Sequence, residues 1–312
     1  MYKGKKIAVV VPAYNEEGLI AATLGGIPEF VDSIVVVDDA STDATADRAA
    51  EVAAGDPRVT LLRHEENAGV GAAVVDGYRR AVEDGMDVAA VMAGDNQMPP
   101  EHLPRLLDRL IDDGYDAAKG NRFLGAPLGM KMPRHRVLGN IVLTLLTKLA
   151  SGYWSIFDAQ NGYWAVTTES LGRLDLSRVA RRYDLENSML IQMNIIDARV
   201  TDVAIPAVYG YEQSTIRLSR DVPRILLTLL SGFWRRIFLK YVLYNFHPIA
   251  LFLFSGLALM LWALGFGLWA AIYSIGPESA TTGTVMLSVL PFLVGFQLLL
   301  AALVLDIINE PR

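Results

Sequence analysis

Two long stretches without a charged side chain lie near the end of this 312-residue chain. Ile249 to Tyr273 and Val285 to Leu305 are 25 and 21 residues long and contain no Asp, Glu, Lys or Arg. At roughly 1.5 Å per residue they would reach about 37 and about 31 Å as helices, enough to cross a hydrocarbon core of roughly 30 Å. Core helices of soluble proteins normally keep a polar stripe, and neither stretch has one. The sequence therefore predicts two transmembrane helices.

The residues around these stretches predict how the chain lies in the membrane. Arg224 to Phe246 mixes Leu, Ile, Phe and Trp with Arg235, Arg236 and Lys240, a pattern typical of a helix in the headgroup region. The connection Ser274 to Thr284 carries one Glu and no Lys or Arg, so the positive-inside rule places it outside. We expect an integral protein of the cytoplasmic membrane, with the first part of the chain and both termini in the cytoplasm.

Composition excludes several classes of function. Twenty-eight basic and thirty-four acidic residues give a net charge of −6, which argues against a general nucleic-acid binder. The absence of cysteine excludes disulfides, thiolate nucleophiles and Cys-ligated metals. The four histidines are scattered without the paired spacing of a zinc site.

The first part of the chain alternates short apolar runs with longer helical patterns. The predicted strands are Ile7 to Val11, Ser33 to Val37, Val59 to Arg63, Val88 to Met92 and Ala117 to Lys119. The predicted helices are Glu17 to Ile27, Ala44 to Ala54, Val70 to Asp84 and Pro100 to Asp113. This alternation predicts an α/β fold, with helices covering a mostly parallel sheet.

Acidic and polar side chains follow two of these strands. Asp38 and Asp39 come after the second strand, and Gly94-Asp95-Asn96-Gln97 follows the fourth. Ligands of open α/β sheets bind outside the carboxyl ends of the strands, so we expect a site there. Asp38, Asp39 and Asp43 are compatible with a ribose clamp, a metal site or a helix cap.

Asp95 and Gln97 are candidate metal ligands. They lie two residues apart, and Pro99-Pro100 then ends the strand and begins a helix. Mg²⁺ usually takes one or two protein oxygens and completes its shell with substrate phosphates and water. An ordinary turn is the alternative interpretation.

Three motifs together resemble a known family. They are Val11-Pro12-Ala13-Tyr14-Asn15-Glu16-Glu17, Val36-Val37-Asp38-Asp39-Ala40-Ser41-Thr42-Asp43-Ala44-Thr45 and Asn67-Ala68-Gly69-Val70-Gly71-Ala72. Over most of residues 5 to 217 the chain resembles the family 2 glycosyltransferases of GT-A fold, particularly the dolichyl- and polyprenyl-phosphate hexose synthases.

The resemblance implies a donor site at the strand ends. The residues that would hold the nucleoside of a nucleotide-diphosphate sugar are Pro12, Tyr14, Glu16 and Asp39, supported by Asp38. Asp95 would be the catalytic acidic residue nearest the diphosphate, and Asp95 and Gln97 would bind Mg²⁺ or Mn²⁺. The chain departs from the family's Asp-x-Asp motif, because Ala93 occupies its first position.

The resemblance also implies an acceptor site. Lys119-Gly120-Asn121-Arg122 resembles the family's basic strand end, and Arg134 and Arg136 resemble arginines that bind the acceptor phosphate. Asp158, in Asp158-Ala159-Gln160-Asn161-Gly162-Tyr163, would orient the attacking oxygen or act as a base.

Two further segments match less closely. Tyr183-Asp184-Leu185-Glu186 resembles an acidic helix start, although Glu186 is equally compatible with a partner of the helix dipole. Tyr209 to Ile216 resembles the family's Arg-x-x-Gly-Glu-Ser-Lys-Leu segment, with Tyr209 and Thr215 replacing its Arg and Lys.

These observations predict three parts and one activity. The parts are a GT-A catalytic domain at 1–220, interface helices at 221–247 and a two-helix membrane anchor at 248–312. The expected activity is inverting transfer of a hexose from a UDP- or GDP-sugar to polyprenyl or dolichyl phosphate in the bilayer, with possible homo-oligomers through the membrane helices. The alternatives are a different acceptor, a processive synthase, for which the Gln-x-x-Arg-Trp motif is missing, or a non-catalytic nucleotide-sugar-binding protein.

Overall fold

The computed structural model describes residues 1–124, 134–206, 218–276 and 279–312, and only the backbone at 134–140 and 218–221. The chain divides into two compact units. The first comprises Met1–Phe233 with Pro311–Arg312, and the second comprises Trp234–Glu310.

The described residues of the first unit form one seven-stranded sheet with the strand order β3-β2-β1-β4-β6-β5-β7. The strands are β1 (Ile7–Ala13), β2 (Ser33–Asp38), β3 (Val59–Arg63), β4 (Val88–Val91), β5 (Ala117–Asn121), β6 (Trp164–Thr167) and β7 (Val200–Ala204). Only β6 runs antiparallel to its neighbours among these strands. The predicted α/β fold with a mostly parallel sheet is confirmed.

Helices cover the sheet on both faces. They are α1 (Ile20–Gly26), α2 (Thr45–Gly55), α3 (Val70–Glu83), α4 (Leu103–Ile111), α5 (Arg134–Ser151), α6 (Thr168–Arg173) and α7 (Leu185–Ile195). A further helix, α8 (Leu218–Phe238), continues into the second unit.

The sequence of β1 explains why it lies at the centre. All seven of its residues are buried, as expected for a parallel strand covered on both faces. Val9 and Val11 pack in one apolar cluster with the buried leucines of α4, whereas Val10 packs in the other with α3 and α7. Gly77 lets α3 approach closely, because a Cβ there would lie 2.1 Å from Cγ1 of Val10.

The second unit contains two long apolar helices, α9 (Pro248–Tyr273) and α10 (Thr282–Ile308). Their most apolar windows have mean hydropathies of 2.2 and 2.3, and only 22% and 11% of those windows are buried. Both helices are long and apolar enough to cross a membrane. Their mostly exposed apolar surface differs from that of a core helix in a soluble protein.

Small residues bring α9 and α10 close together. A Cβ added at Gly256 would lie 3.0 Å from the carbonyl oxygen of Gly295, and one added at Gly295 would lie 3.0 Å from that of Gly256. Close backbone approach at glycines is common where membrane helices pack.

A buried ion pair also belongs to the second unit. Arg236 follows the start of the unit on α8, and its guanidinium donates to both carboxylate oxygens of Asp306 at 2.7 and 3.0 Å. The Tyr241 hydroxyl donates to the same carboxylate at 2.8 Å. This carboxylate therefore joins the last apolar helix to the segment that precedes α9.

Candidate active site

The carboxyl ends of β1, β2 and β4 meet at one edge of the sheet. β1 lies between the other two, and all three strands are parallel. From β1 the chain continues to β2 and β3 on one side of the sheet and then crosses to β4 on the other side. This reversal of strand order makes the edge a topological switch point. The predicted donor residues Pro12, Tyr14, Glu16, Asp38, Asp39, Asp95 and Gln97 all lie in or directly after these three strands.

Hydrogen bonds join the loop after β1 to the loop after β2. The backbone N–H of Asn15 donates to the Ser41 hydroxyl at 3.0 Å, and that of Glu16 donates to the Thr45 hydroxyl at 2.7 Å. Asn15 has a φ of 58°, a left-handed conformation that Asn tolerates better than most residues. The loop thereby presents Tyr14 to solvent with 46% of its surface exposed.

Asp39 is buried and organises the residues after β3. One carboxylate oxygen accepts hydrogen bonds from the Ala68 backbone N–H and faces Nδ1 of His64, both at 2.8 Å. The other oxygen accepts from the Gly69 backbone N–H at 2.8 Å. The carboxylate therefore shapes the wall of the predicted nucleoside site through protein donors.

Asp38 is fully buried and less completely paired. One carboxylate oxygen accepts from the Ser41 backbone N–H at 3.3 Å. The other has no hydrogen-bond donor among the described residues and lies 3.6 Å from Nε of Arg63. Because a buried carboxylate oxygen without a donor is costly, this atom is an acceptor that a ligand N–H or O–H could satisfy.

Asp95 lies in a tight turn after β4. The Gln97 backbone N–H donates to its carboxylate at 3.0 Å, and Asn96 between them has a φ of 57°. Burial raises the pKa of Asp95 above its ordinary value. A cation would offset that loss of hydration, so this carboxylate and the Gln97 amide fit a hard divalent metal.

Such a cation would need the substrate as a further ligand. Among the described residues, no group of three His, Cys, Asp or Glu side chains could hold a metal. A cation at this turn would therefore need a diphosphate and water to complete its coordination shell.

Arg122 and Asp158 form the centre of the predicted acceptor side. Nε and NH2 of Arg122 donate to the two carboxylate oxygens at 2.7 and 2.9 Å, and the Arg122 backbone N–H donates at 3.0 Å. Asp158 is buried, whereas 39% of the Arg122 side chain is exposed. The carboxylate therefore fixes the guanidinium while leaving part of it accessible.

This pairing determines what Asp158 can do chemically. Burial acts to raise its pKa, but the hydrogen bonds and charge of Arg122 outweigh burial and hold the pKa below its ordinary value. A carboxylate held in its ionised form by three donors is a weak base. The geometry favours the orienting role of Asp158 over proton abstraction.

The other predicted acceptor residues are only partly described. Arg134 and Arg136 lie in the first turn of α5, and their side chains lie outside the described residues. The Tyr209 to Ile216 motif lies outside them completely.

Two further polar residues lie beside the acceptor segment: Lys119, from the motif at the end of β5, and Asp202, which no motif contained. Lys119 on β5 is fully buried and donates to the backbone carbonyl of Asp158. Asp202 on β7 accepts from Nδ2 of Asn121 at 2.6 Å and from the Phe157 backbone N–H at 2.8 Å. The sequence signal for Lys119 was the motif Lys119-Gly120-Asn121-Arg122, and the signal for Asp202 was a polar residue that interrupts an apolar strand.

Comparison with known proteins identifies similar sequences. The chain is 28% identical over 218 residues to the UDP-N-acetylglucosamine–dolichyl-phosphate N-acetylglucosaminyltransferase of Methanococcus voltae, covering 66% of this chain and 86% of the relative. It is 30% identical over 203 residues to the undecaprenyl-phosphate mannosyltransferase of Micrococcus luteus, covering 64% and 82%.

A solved structure shares the fold of the first unit. Glucosyl-3-phosphoglycerate synthase from Mycobacterium tuberculosis, crystallised with Mn²⁺, UDP-glucose and phosphoglyceric acid, superposes with a TM-score of 0.56 at 25% identity. The match covers 74% of this chain and 80% of the synthase. Residues 8–174 match the sequence family described as glycosyl transferase family 2, more than half of the chain. The chain therefore belongs to glycosyl transferase family 2.

Proposed function

We propose that this protein is an inverting glycosyltransferase that moves a hexose from a nucleotide-diphosphate sugar to a polyprenyl-type phosphate in the membrane. One observation carries the proposal: a single chain combines a family 2 site at the strand ends with two mostly exposed apolar helices. An acceptor whose tail stays in the bilayer requires an enzyme that meets its phosphate there. The acceptors named for the relatives from Methanococcus voltae and Micrococcus luteus, dolichyl and undecaprenyl phosphate, support this acceptor class.

The donor is assigned to the edge formed by β1, β2 and β4. Tyr14 and the wall shaped by Asp39 would surround the nucleoside, and the unsatisfied oxygen of Asp38 would accept a hydrogen bond in this region. Asp95 and Gln97 would hold Mg²⁺ or Mn²⁺. The bound cation would supply positive charge for the leaving nucleoside diphosphate.

The acceptor phosphate is assigned to the exposed side of Arg122. Guanidinium groups suit phosphate because their N–H donors form a rigid planar fork. The phosphate is anionic near neutral pH, so its attack needs orientation more than a strong base. This requirement agrees with Asp158 as the residue that orients Arg122.

The membrane arrangement is part of the proposal. We assign α9 and α10 as spans, with the connection at 274–284 outside and the first unit in the cytoplasm, because that connection lacks Lys and Arg. The proposed division into catalytic domain, interface segment and anchor follows the ranges given above.

A transfer assay tests the proposal. Full-length protein in nanodiscs is incubated with Mn²⁺, polyprenyl phosphate and a panel of radiolabelled UDP- and GDP-sugars, and label is counted in the lipid phase. We expect one donor to give glycolipid, a loss of at least 100-fold with Asp95→Ala, and no comparable loss with exposed Asp47→Ala as the control. Donor binding without transfer to lipid across the panel would contradict the assigned acceptor.

A soluble phosphorylated acceptor is the second candidate. The observation that favours it is phosphoglyceric acid in the structurally similar synthase from Mycobacterium tuberculosis. The guanidinium of Arg122 would suit either kind of phosphate, so the acceptor must be decided by the destination of the label.

A further inference from the structure

We propose that Lys119 is a positioning residue for the acceptor site, acting through the backbone of Asp158 to aim Arg122. This inference rests on the proposed role of Arg122 in binding the acceptor phosphate. Lys119 itself is fully buried, so its ammonium group does not reach the substrate.

The register of the sheet places Lys119 beside one residue of each neighbouring strand. It lies on β5, in register with Trp164 on β6 and Asp202 on β7. Its Nζ lies 5.1 Å from the centroid of the Trp164 ring. Burial lowers the pKa of Lys119, and the charges of Asp202 and Asp158 oppose that change. A lysine is expensive to bury unless such partners surround it.

Two contacts connect β5 and β7 to the segment that carries Asp158, and a third joins the two strands to each other. Lys119 donates to the Asp158 carbonyl, and Asp202 accepts from the Phe157 backbone N–H at 2.8 Å. Asn121 donates to the same Asp202 carboxylate at 2.6 Å. Lys119 and Asp202 therefore hold the two residues on either side of one peptide bond.

The side chain of Asp158 transmits this restraint to Arg122. Its two carboxylate oxygens accept from Nε and NH2 of Arg122 at 2.7 and 2.9 Å. A bidentate pair fixes the plane of the guanidinium as well as its position. A shift of the Asp158 backbone would thus change the direction in which Arg122 faces the acceptor.

Lys148 provides a matched control. It also donates to a backbone carbonyl of the same region, that of Trp154, and its Nζ lies 5.5 Å from the centroid of the Phe157 ring. Lys148→Met therefore removes a similar lysine-to-carbonyl bond, made to Trp154 instead of Asp158.

The first experiment measures positioning without any substrate. Hydrogen–deuterium exchange is followed by mass spectrometry on the full-length protein in nanodiscs. We expect Lys119→Met to speed exchange in the 157–163 peptide by on the order of 10-fold, as expected for loss of one hydrogen bond to a charged group, and to leave the peptide after β1 unchanged. Unchanged exchange at 157–163 would overturn the proposal, whatever the enzyme transfers.

The second experiment measures the acceptor site. We expect Lys119→Met to raise the KM for polyprenyl phosphate by on the order of 10-fold while the Kd for the donor nucleotide stays within 2-fold, and Lys148→Met to change neither. In an Arg122→Lys background, Lys119→Met should add less than 2-fold, because the bidentate pair through which it acts is already lost. Equal loss of donor binding, or a full additional loss in that background, would show a merely structural role and overturn the proposal.

The two experiments separate this inference from the proposed function. If the wild-type protein transfers no sugar to polyprenyl phosphate, the proposed function fails, and the exchange rates of the 157–163 peptide still decide whether Lys119 holds the segment.

Discussion

Gly71 gives a sharp test of the packing that supports the site. This residue lies in the first turn of α3, and its backbone N–H donates to the Arg181 carbonyl at 2.9 Å. A Cβ added here would lie 2.0 Å from the Ala180 carbonyl oxygen, far inside the 3.0 Å below which real Cβ contacts essentially never occur. The atom in the way belongs to the backbone, so no side-chain rotation can relieve the overlap.

The expected magnitude for Gly71→Ala follows from opposing effects. Displacing the 180–182 segment breaks the bonds from the Gly71 and Ala72 N–H groups to the Arg181 carbonyl, at 2.9 and 3.3 Å. Each bond contributes about 0.5–1.5 kcal/mol, and residual overpacking adds about 1–3 kcal/mol. The higher helix propensity of Ala relative to Gly offsets about 1 kcal/mol of this destabilisation. We expect net destabilisation of about 2–4 kcal/mol, or a Tm lower by about 5–10 °C.

The assay is thermal unfolding of the full-length protein in detergent, followed by tryptophan fluorescence. Gly25→Ala is the matched control, because Gly25 is helical and a Cβ there would meet no atom within 4 Å. Propensity alone predicts that both variants gain about 0.5–1 kcal/mol. A Tm for Gly71→Ala equal to or above that of the wild type would refute the packing argument.

Three further predictions concern stability. Burial raises the pKa of Glu186 to about 7 from an ordinary 4.5. The folded state therefore favours the protonated carboxyl, and the free energy of unfolding falls as pH rises from about 4.5 to about 7 because the buried group must ionise. Glu186→Gln should therefore gain up to about 3 kcal/mol over wild type between pH 5 and pH 8, and an equal difference at both pH values in thermal unfolding would contradict this. Ala40 has a φ of 59°, so Ala40→Gly should stabilise the protein by about 0.5–1 kcal/mol in the same assay, and a lower Tm would count against backbone strain there. Asp306→Asn removes the buried carboxylate that binds Arg236 and should destabilise the second unit by about 3–5 kcal/mol, whereas an unchanged Tm would show that the pair contributes little.

The strands at the centre of the sheet could be predicted because their sequences decide their environment. β1 and β2 are short, uninterrupted apolar runs that only a doubly covered sheet can bury. β6 and β7 were not predicted. β6 has four residues, and Thr201 and Asp202 interrupt the apolar pattern of β7. Their places depend on pairing with β4 and β5, which is non-local information.

The residues of the candidate site likewise fall into those that local sequence predicts and those whose contacts depend on the fold. The positions of Asp38, Asp39 and Asp95 could be predicted because the end of a parallel strand is visible in the sequence. The pairing of Arg122 with Asp158 joins residues 36 positions apart, and no local pattern reveals it. The connection from Lys119 to Asp158 spans 39 positions and likewise depends on the folded sheet.

Ala93 occupies the position of the first Asp in the family's Asp-x-Asp motif, and its backbone contacts Met98. Its backbone N–H lies 3.3 Å from the sulfur of Met98, across the turn that contains Asp95 and Gln97. We propose that Asp95 and Gln97 are the protein's oxygen ligands for the cation.

The destination of the transferred sugar tests the central proposal most directly. Full-length protein in nanodiscs containing polyprenyl phosphate is given Mn²⁺, a labelled donor sugar and an equal concentration of soluble phosphoglyceric acid, and the label in the lipid and aqueous products is compared. We predict that the label enters the lipid phase and is lost from it with Asp95→Ala. Label transferred to phosphoglyceric acid, with none in the lipid, would contradict a lipid-phosphate acceptor.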